Sequence, residues 1–291
     1  MCELIAPLFR LDQIDELVQA KVSALTFSCD FFATKQERYF SQMEFESAVN
    51  SCHALGIKAY TFVNRIFVED ELAKLDEYLK WLKKIGVDGI YYHDHAVYII
   101  AKKYDLVPLL IFCHDTILTN SYDIKSYLDL GIKRCVISCD ITLEEINEIV
   151  ALNSNCELMI HGHINLADSK RELLSVYFDE INRENSTGPY TIVEETREQK
   201  MYIYEDQQGT HIFTSECLQM VKELPLLVGK VGAVNINGLF VDYQNILVAA
   251  RNYARIIEGE DADEIYQNWI SKEEEDKYTS GYLYKKTNLV K

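Results

Sequence analysis

The chain has 291 residues, of which 48% are hydrophobic and 26% charged, a balance that fits an ordinary folded protein and excludes a disordered or collagen-like one. With 46 acidic against 29 basic residues it carries a formal net charge of −17, which argues against unaided nucleic-acid binding, since phosphate contacts need clustered Lys and Arg. No apolar run reaches the roughly 20 residues of a membrane helix, and "MCELIAPLFRLDQ" has no basic region ahead of its apolar residues, so the expectation is a cytoplasmic protein.

Short apolar runs alternate with amphipathic segments through the first 165 residues. "LIAPL" (4–8) precedes the helical pattern "LDQIDELVQAKV", and "ALTFSCDFF" (24–32) precedes "SQMEFESAVNSCHALG", in which Ser41 and Glu44 have the spacing of a capping box. "KAYTFVNRIF" (58–67) leads to a helix with an apolar stripe of Leu72, Leu75, Leu79, Trp81 and Leu82. "GIYYHD", "PLLIFCHD", "RCVISCD" and "ELMIHG" follow as strands, and several helices stop at a glycine just before the next strand. Strands recurring at about 25 residues imply right-handed βαβ units. Seven precede residue 162, and "GAVNINGLFV" (232–241) makes an eighth, which predicts an α/β fold of the TIM-like (β/α)8 barrel type. An open doubly wound sheet is the alternative, but no glycine-rich phosphate turn follows the first strand. Between strands seven and eight the alternation in 190–216 and the Gln208-Gly209 turn predict a β-hairpin-like insert, within a region of about 176–216. The expected division is a barrel over 1–257 and a tail over 258–291 packed on or beside it.

The eight cysteines lie scattered in apolar contexts and read as reduced thiols. Polar residues gather at the strand ends, where a barrel holds its active site: His93, Asp94 and His95, His114 and Asp115, Asp140, then His161 and His163. His161 and His163, two apart on a strand, are expected on one side. With Asp94 and His114 they form the candidate set for a divalent metal that would activate water in a hydrolase. His53 and His211 are read instead as histidines hydrogen-bonded to backbone. No G-x-S-x-G elbow is present.

Several separated segments resemble the U32 "peptidase" family, whose better-understood members hydroxylate RNA or ubiquinone precursors. "ELIAPLFRLDQIDELVQAKVSALTF" is similar to the family's opening strand and helix, and "KYTSGYLYKK" to its threonine-glycine-aromatic ending. The most specific stretch is "ELMIHGHINLADSKRELLS" (157–175), where Glu157, Gly162, Ile164, Leu174 and Ser175 fall in register with the family pattern. Asn165 and Glu172, however, stand where that pattern has two cysteines, and the region before "GPYTIVEE" supplies none. The resemblance assigns an iron–sulfur cluster to those cysteines, and a cluster needs thiolates, so no cluster and no other cofactor is expected here, a divalent metal being the alternative. Where the family reads "KIEGR", this chain has Asn235, Ile236, Asn237, Gly238 and Leu239, while Glu194, Glu195, Arg197, Glu205 and Gly209 are kept in the insert. Asn165, Glu172, these four charged residues, Asn235, Asn237 and the two histidines are the candidate rim residues. The resemblance thus implies a short, cluster-less U32 barrel partnering a cluster-bearing homologue in tRNA wobble-uridine hydroxylation, and touching tRNA only within such a complex. A hydrolase, as the peptidase label suggests, and a small-molecule-binding barrel are the alternatives.

Overall fold

In the computed structural model, which describes residues 2–185, 188–193, 195, 200–271 and 275–286, eight parallel strands close on themselves. They are β1 (Glu3–Pro7), β2 (Ala24–Thr26), β3 (Lys58–Val63), β4 (Gly89–Tyr92), β5 (Leu110–Cys113), β6 (Arg134–Val136), β7 (Cys156–Ser169) and, after three strands of the insert, β11 (Ala233–Ile236). Closure runs through Glu157 opposite Ala233 and Ala233 opposite Glu3, so the predicted TIM-like barrel is the observed fold.

Helices α1 (Ile14–Gln19), α2 (Gln42–Ala54), α3 (Leu72–Ile85), α4 (His95–Ala101), α5 (Ser121–Leu128) and α6 (Leu143–Leu152) follow the first six strands in turn. Ser41 and Glu44 do form a reciprocal capping box at the start of α2. The α3 stripe buries Leu75, Tyr78, Leu79 and Leu82, whereas Trp81 stays at the margin and donates to Glu46. Gly86 ends α3 at φ +79, a left-handed cap open to glycine without strain.

Four strands differ from their expected lengths: 58–67 is a strand only over Lys58–Val63, and 232–241 only over Ala233–Ile236. Only Ala24–Thr26 of 24–32 joins the barrel; Ser28–Cys29 pairs instead with Tyr39–Phe40, in a separate two-stranded sheet. Conversely, β7 does not stop at residue 162 but runs on to Ser169. A bulge between the Met159 and His161 pairings, and Gly162 at φ +133, turn it out of the barrel wall. Its outer half then pairs antiparallel with β10 (Gly209–Gln219), which pairs with β9 (Lys200–Asp206) and through it with β8 (Tyr190–Val193). The hairpin expected at Gln208-Gly209 is the β9–β10 turn.

Helix α7 (Leu173–Glu180) links β7 to this insert, and α8 (Tyr243–Ile257) follows β11, burying Ile246, Leu247, Ala250 and Tyr253 on the barrel. Beyond it, α9 (Ala262–Trp269) places Trp269 edge-on to Tyr253, and Tyr278–Thr279 adds to β10 beside Cys217–Leu218. Among the described residues no helix is long and apolar enough to cross a membrane.

The barrel interior is filled by Ile5, Ala24, Tyr60, Tyr91, Ile111 and Ala233, with Phe62, Cys113 and Val136 above them. Toward the strand N-termini it holds charge. Arg134 donates to Glu3 at 2.8 Å and pairs with Glu157 at 2.9 Å; Glu157 is fully buried and also accepts from Tyr91 Oη and Asn235 Nδ2, both at 2.8 Å. Burial raises the Glu3 carboxyl, but hydrogen bonds from Lys58, Arg134 and Tyr60 outweigh that and bring it to about 2. Asn235, expected at the rim, lines the mouth cavity and joins this internal network through its amide nitrogen.

Candidate functional site at the barrel mouth

The C-terminal ends of the strands open into a cavity of ≈110 Å³ whose walls include Phe62, Tyr91, Met159 and Phe213, with His93, His114, His163 and Asn165 among its polar groups. A second depression over Arg65, Lys170, Gln208 and His211 shares Lys35, His93, Asp115 and Asn165 with it, so the two form one cleft between barrel and insert.

Lys35 is the hub of that cleft. Its backbone is left-handed at φ +59, uncommon for a side chain of this kind, and its ammonium reaches Asp115 at 2.6 Å and Asp168 at 3.3 Å. Asn165 Nδ2 donates to both of the same aspartates at 2.8 Å. His211 stands between Asp168 (2.5 Å) and Asp206 (3.2 Å), and Asp206 in turn accepts from Thr34 Oγ1 and the Lys35 amide. Burial alone would neutralise these groups; their pairing reverses it. Asp168 is held well below the usual carboxylate range because the His211 hydrogen bond and Lys35 outweigh desolvation. Asp115 is lowered by Lys35 against desolvation, Lys35 is raised by its two aspartates, and His211 is raised by its pair of carboxylates. The barrel is thus tied to the insert by charge-assisted hydrogen bonds.

His211, read from sequence as bonded to backbone, is instead clamped by two carboxylates, while His53 is held by Asp88 at 2.9 Å. Lys35, Asp168 and His211 are the residues sequence reading missed. They lie on a loop and on strands far apart in the chain, and the signal that would have found them is register: Asp168 stands opposite His211 once β7 is extended.

The proposed metal ligands are not brought together. Because of the bulge, His161 and His163 do not share a side: His161 packs on Tyr253 and Trp269 outside the barrel, and His163 on Tyr202 and Phe240 beside the cavity. Asp94 caps α4 through Ala96 N and accepts from Phe67 N, which uses both carboxylate oxygens. His114 lines the cavity and accepts from Thr116 N. Among the described residues no group of three or more His, Cys, Asp or Glu is placed to hold a metal ion. Burial lowers His161 to about 3 and His93 to about 4, which leaves both as neutral imidazoles at pH 7, and it lowers His163 and His114 as well.

The other rim candidates divide. Asn237 lines the cavity with its side-chain oxygen bound to Leu239 N. Glu172 and Glu195 are exposed, and Glu194 and Arg197 lie outside the described residues. Glu205 is structural: its carboxylate accepts from Leu174 N (2.8 Å), Ser175 N (3.1 Å) and Ser175 Oγ, closing the first turn of α7. Glu205→Ala should cost α7 about 1.5–3 kcal/mol. Hydrogen exchange at the Leu174 and Ser175 amides should then quicken at least tenfold, and unchanged exchange would refute the cap.

An iron–sulfur cluster does not suit this donor set. Six cysteines are buried, and only Cys113 and Cys139 reach the cavity, where burial raises both thiols, Cys139 to about 12. A cluster is ordinarily held by four thiolates, and Asn165 already spends both amide hydrogens on aspartates.

A model of peptidase family U32 matches residues 9–289. The sequence is 27% identical over 289 residues to tRNA hydroxylation protein P2 of Bacillus subtilis (strain 168), covering 93% of this chain and 94% of that protein. It is also 27% identical over 173 residues to tRNA hydroxylation protein P of Escherichia coli (strain K12), covering 54% of this chain but 37% of that protein. Among solved structures, the U32 peptidase Mk0906 superposes with a TM-score of 0.51 at 15% identity, covering 81% of this chain and 92% of that one, a likeness of fold.

Proposed function

Given that the chain belongs to peptidase family U32, we propose that it acts in tRNA hydroxylation as a cluster-less subunit assisting a cysteine-bearing homologue. The observation that carries this reading is the Asn165 side chain. Where the family pattern has a cysteine, this residue donates through its amide nitrogen to Asp115 and Asp168, the two aspartates that hold Lys35, so the position is filled by a different, polar chemistry. The end-to-end likeness to a tRNA hydroxylation protein supports the process, and the net charge of −17 supports a role beside the RNA-binding chain rather than as that chain.

On this reading, wobble-uridine hydroxylation measured by mass spectrometry of total tRNA should fall when this chain is deleted. It should return with the wild-type gene, and the two chains expressed together should elute as one species. Hydroxylation that survives deletion, with the two chains eluting separately, would sink the proposal. The cavity favours a second reading, a barrel that holds a small molecule in its mouth. Mass spectrometry of gently purified protein, compared before and after denaturation, would reveal such a ligand.

A further inference from the structure

Helix α7 turns its apolar side outward. Of its eight residues Leu174 is buried, and Phe178 anchors the helix by packing on Tyr190 at 4.9 Å. Leu173, Val176, Tyr177 and the following Ile181, spaced i, i+3, i+4 and i+8, are exposed, Val176 to 66% and Tyr177 to 56%. An amphipathic helix ordinarily buries that stripe. The stripe is also rigid, because Glu205 fixes the start of the helix and the insert fixes its side, so little ordering would be lost on binding. It adjoins the cleft: Leu173 N donates to Thr210 Oγ1, next in sequence to His211.

The charge around the stripe specifies the occupant. Glu180 falls on the same face by helical spacing from Leu173, Val176 and Tyr177 and is exposed. Residues 170–184 hold Glu172, Asp179, Glu180 and Glu184 against Lys170, Arg171 and Arg183, and the acids dominate the C-terminal end of the helix, in a chain of net charge −17. A second copy would bring like charge to like charge, whereas a basic surface would be attracted. We propose that this face of α7 is the docking surface for a different protein, one offering an apolar groove with lysine or arginine opposite Glu180. The inference deepens the subunit reading above and rests on it, the partner being the cysteine-bearing homologue.

The test compares wild type with V176D/Y177D, with E180K, and with the control Leu152→Asp, at a site 73% exposed on α6. Each full chain is titrated with the homologue from the same genome by calorimetry and sedimented alone. Matching circular dichroism and Tm would show that the variants fold. The expected result is a wild-type chain that sediments as a monomer, with affinity for the homologue lowered more than tenfold by V176D/Y177D and several-fold by E180K, and unchanged by L152D. A tight complex that V176D/Y177D leaves intact overturns the surface while the subunit reading stands. A wild-type chain that does not bind the homologue overturns both. Self-association abolished by V176D/Y177D assigns the face to a second copy and overturns the proposed partner.

Discussion

Arg134→Met should lower the stability of the fold by about 3–5 kcal/mol, the usual cost of removing one partner from a buried ion pair. The reason is what remains behind: Glu157, wholly inside the barrel, and Glu3, both paired with the guanidinium. Much of the loss should therefore be the penalty of an uncompensated charge rather than lost packing. The double variant R134M/E157Q separates the two, because glutamine keeps an acceptor for Tyr91 and Asn235 but carries no charge. Urea denaturation should show the single variant unfolding at a lower midpoint with the slope unchanged, and the double variant recovering part of the difference. A double variant at least as unstable as the single one would mean that Arg134 matters for its volume.

His161→Phe should flatten the loss of stability in acid. In the folded chain burial depresses His161 to about 3, so below about pH 6.5 the unfolded chain takes up a proton that the folded chain refuses. A depressed group contributes stability that is complete above its unfolded pKa and disappears as pH falls toward its folded one. By pH 5 the deficit from this one side chain is about 2 kcal/mol. His93, lowered to about 4, adds to the same limb, while His211, raised by its carboxylates, acts in the opposite sense and loses its contribution as pH climbs through its folded pKa. Phenylalanine keeps the ring against Trp269 and Tyr253 without a titrating nitrogen. Denaturant midpoints at pH 8 and pH 5 should diverge between wild type and variant, and parallel lines would show that His161 is not the group responsible.

The barrel was legible because its strands are short, bounded and evenly spaced: apolar periodicity with glycine-terminated helices is a local signal, and the eight strands stand where it put them. The site was much less so. The two-residue spacing of His161 and His163 suggested a shared side, yet a bulge at residue 160 and a positive φ at Gly162 reverse that alternation, and neither is written in side-chain pattern. A β-carbon at position 162 would lie 2.7 Å from Asn237 Cβ, so the glycine is required by a neighbour 75 positions away. Glu205 looked like a rim acid and is a helix cap; His211 looked like a bystander and is the clamp between barrel and insert. Both roles depend on pairings between distant segments, which a single sequence does not display.

The 14-residue strand β7 has a consequence for how this architecture can be altered. Its first half is a stave of the barrel and its second half a rail on which the insert is hung, with no linker between them. Excising 190–219 would thus strip hydrogen-bond partners from a projecting ribbon, leaving a sticky unpaired edge above the mouth. The insert is accordingly not a detachable module: shortening it and preserving a well-behaved barrel are competing demands, and any trimmed version must also cut β7 back to Gly162.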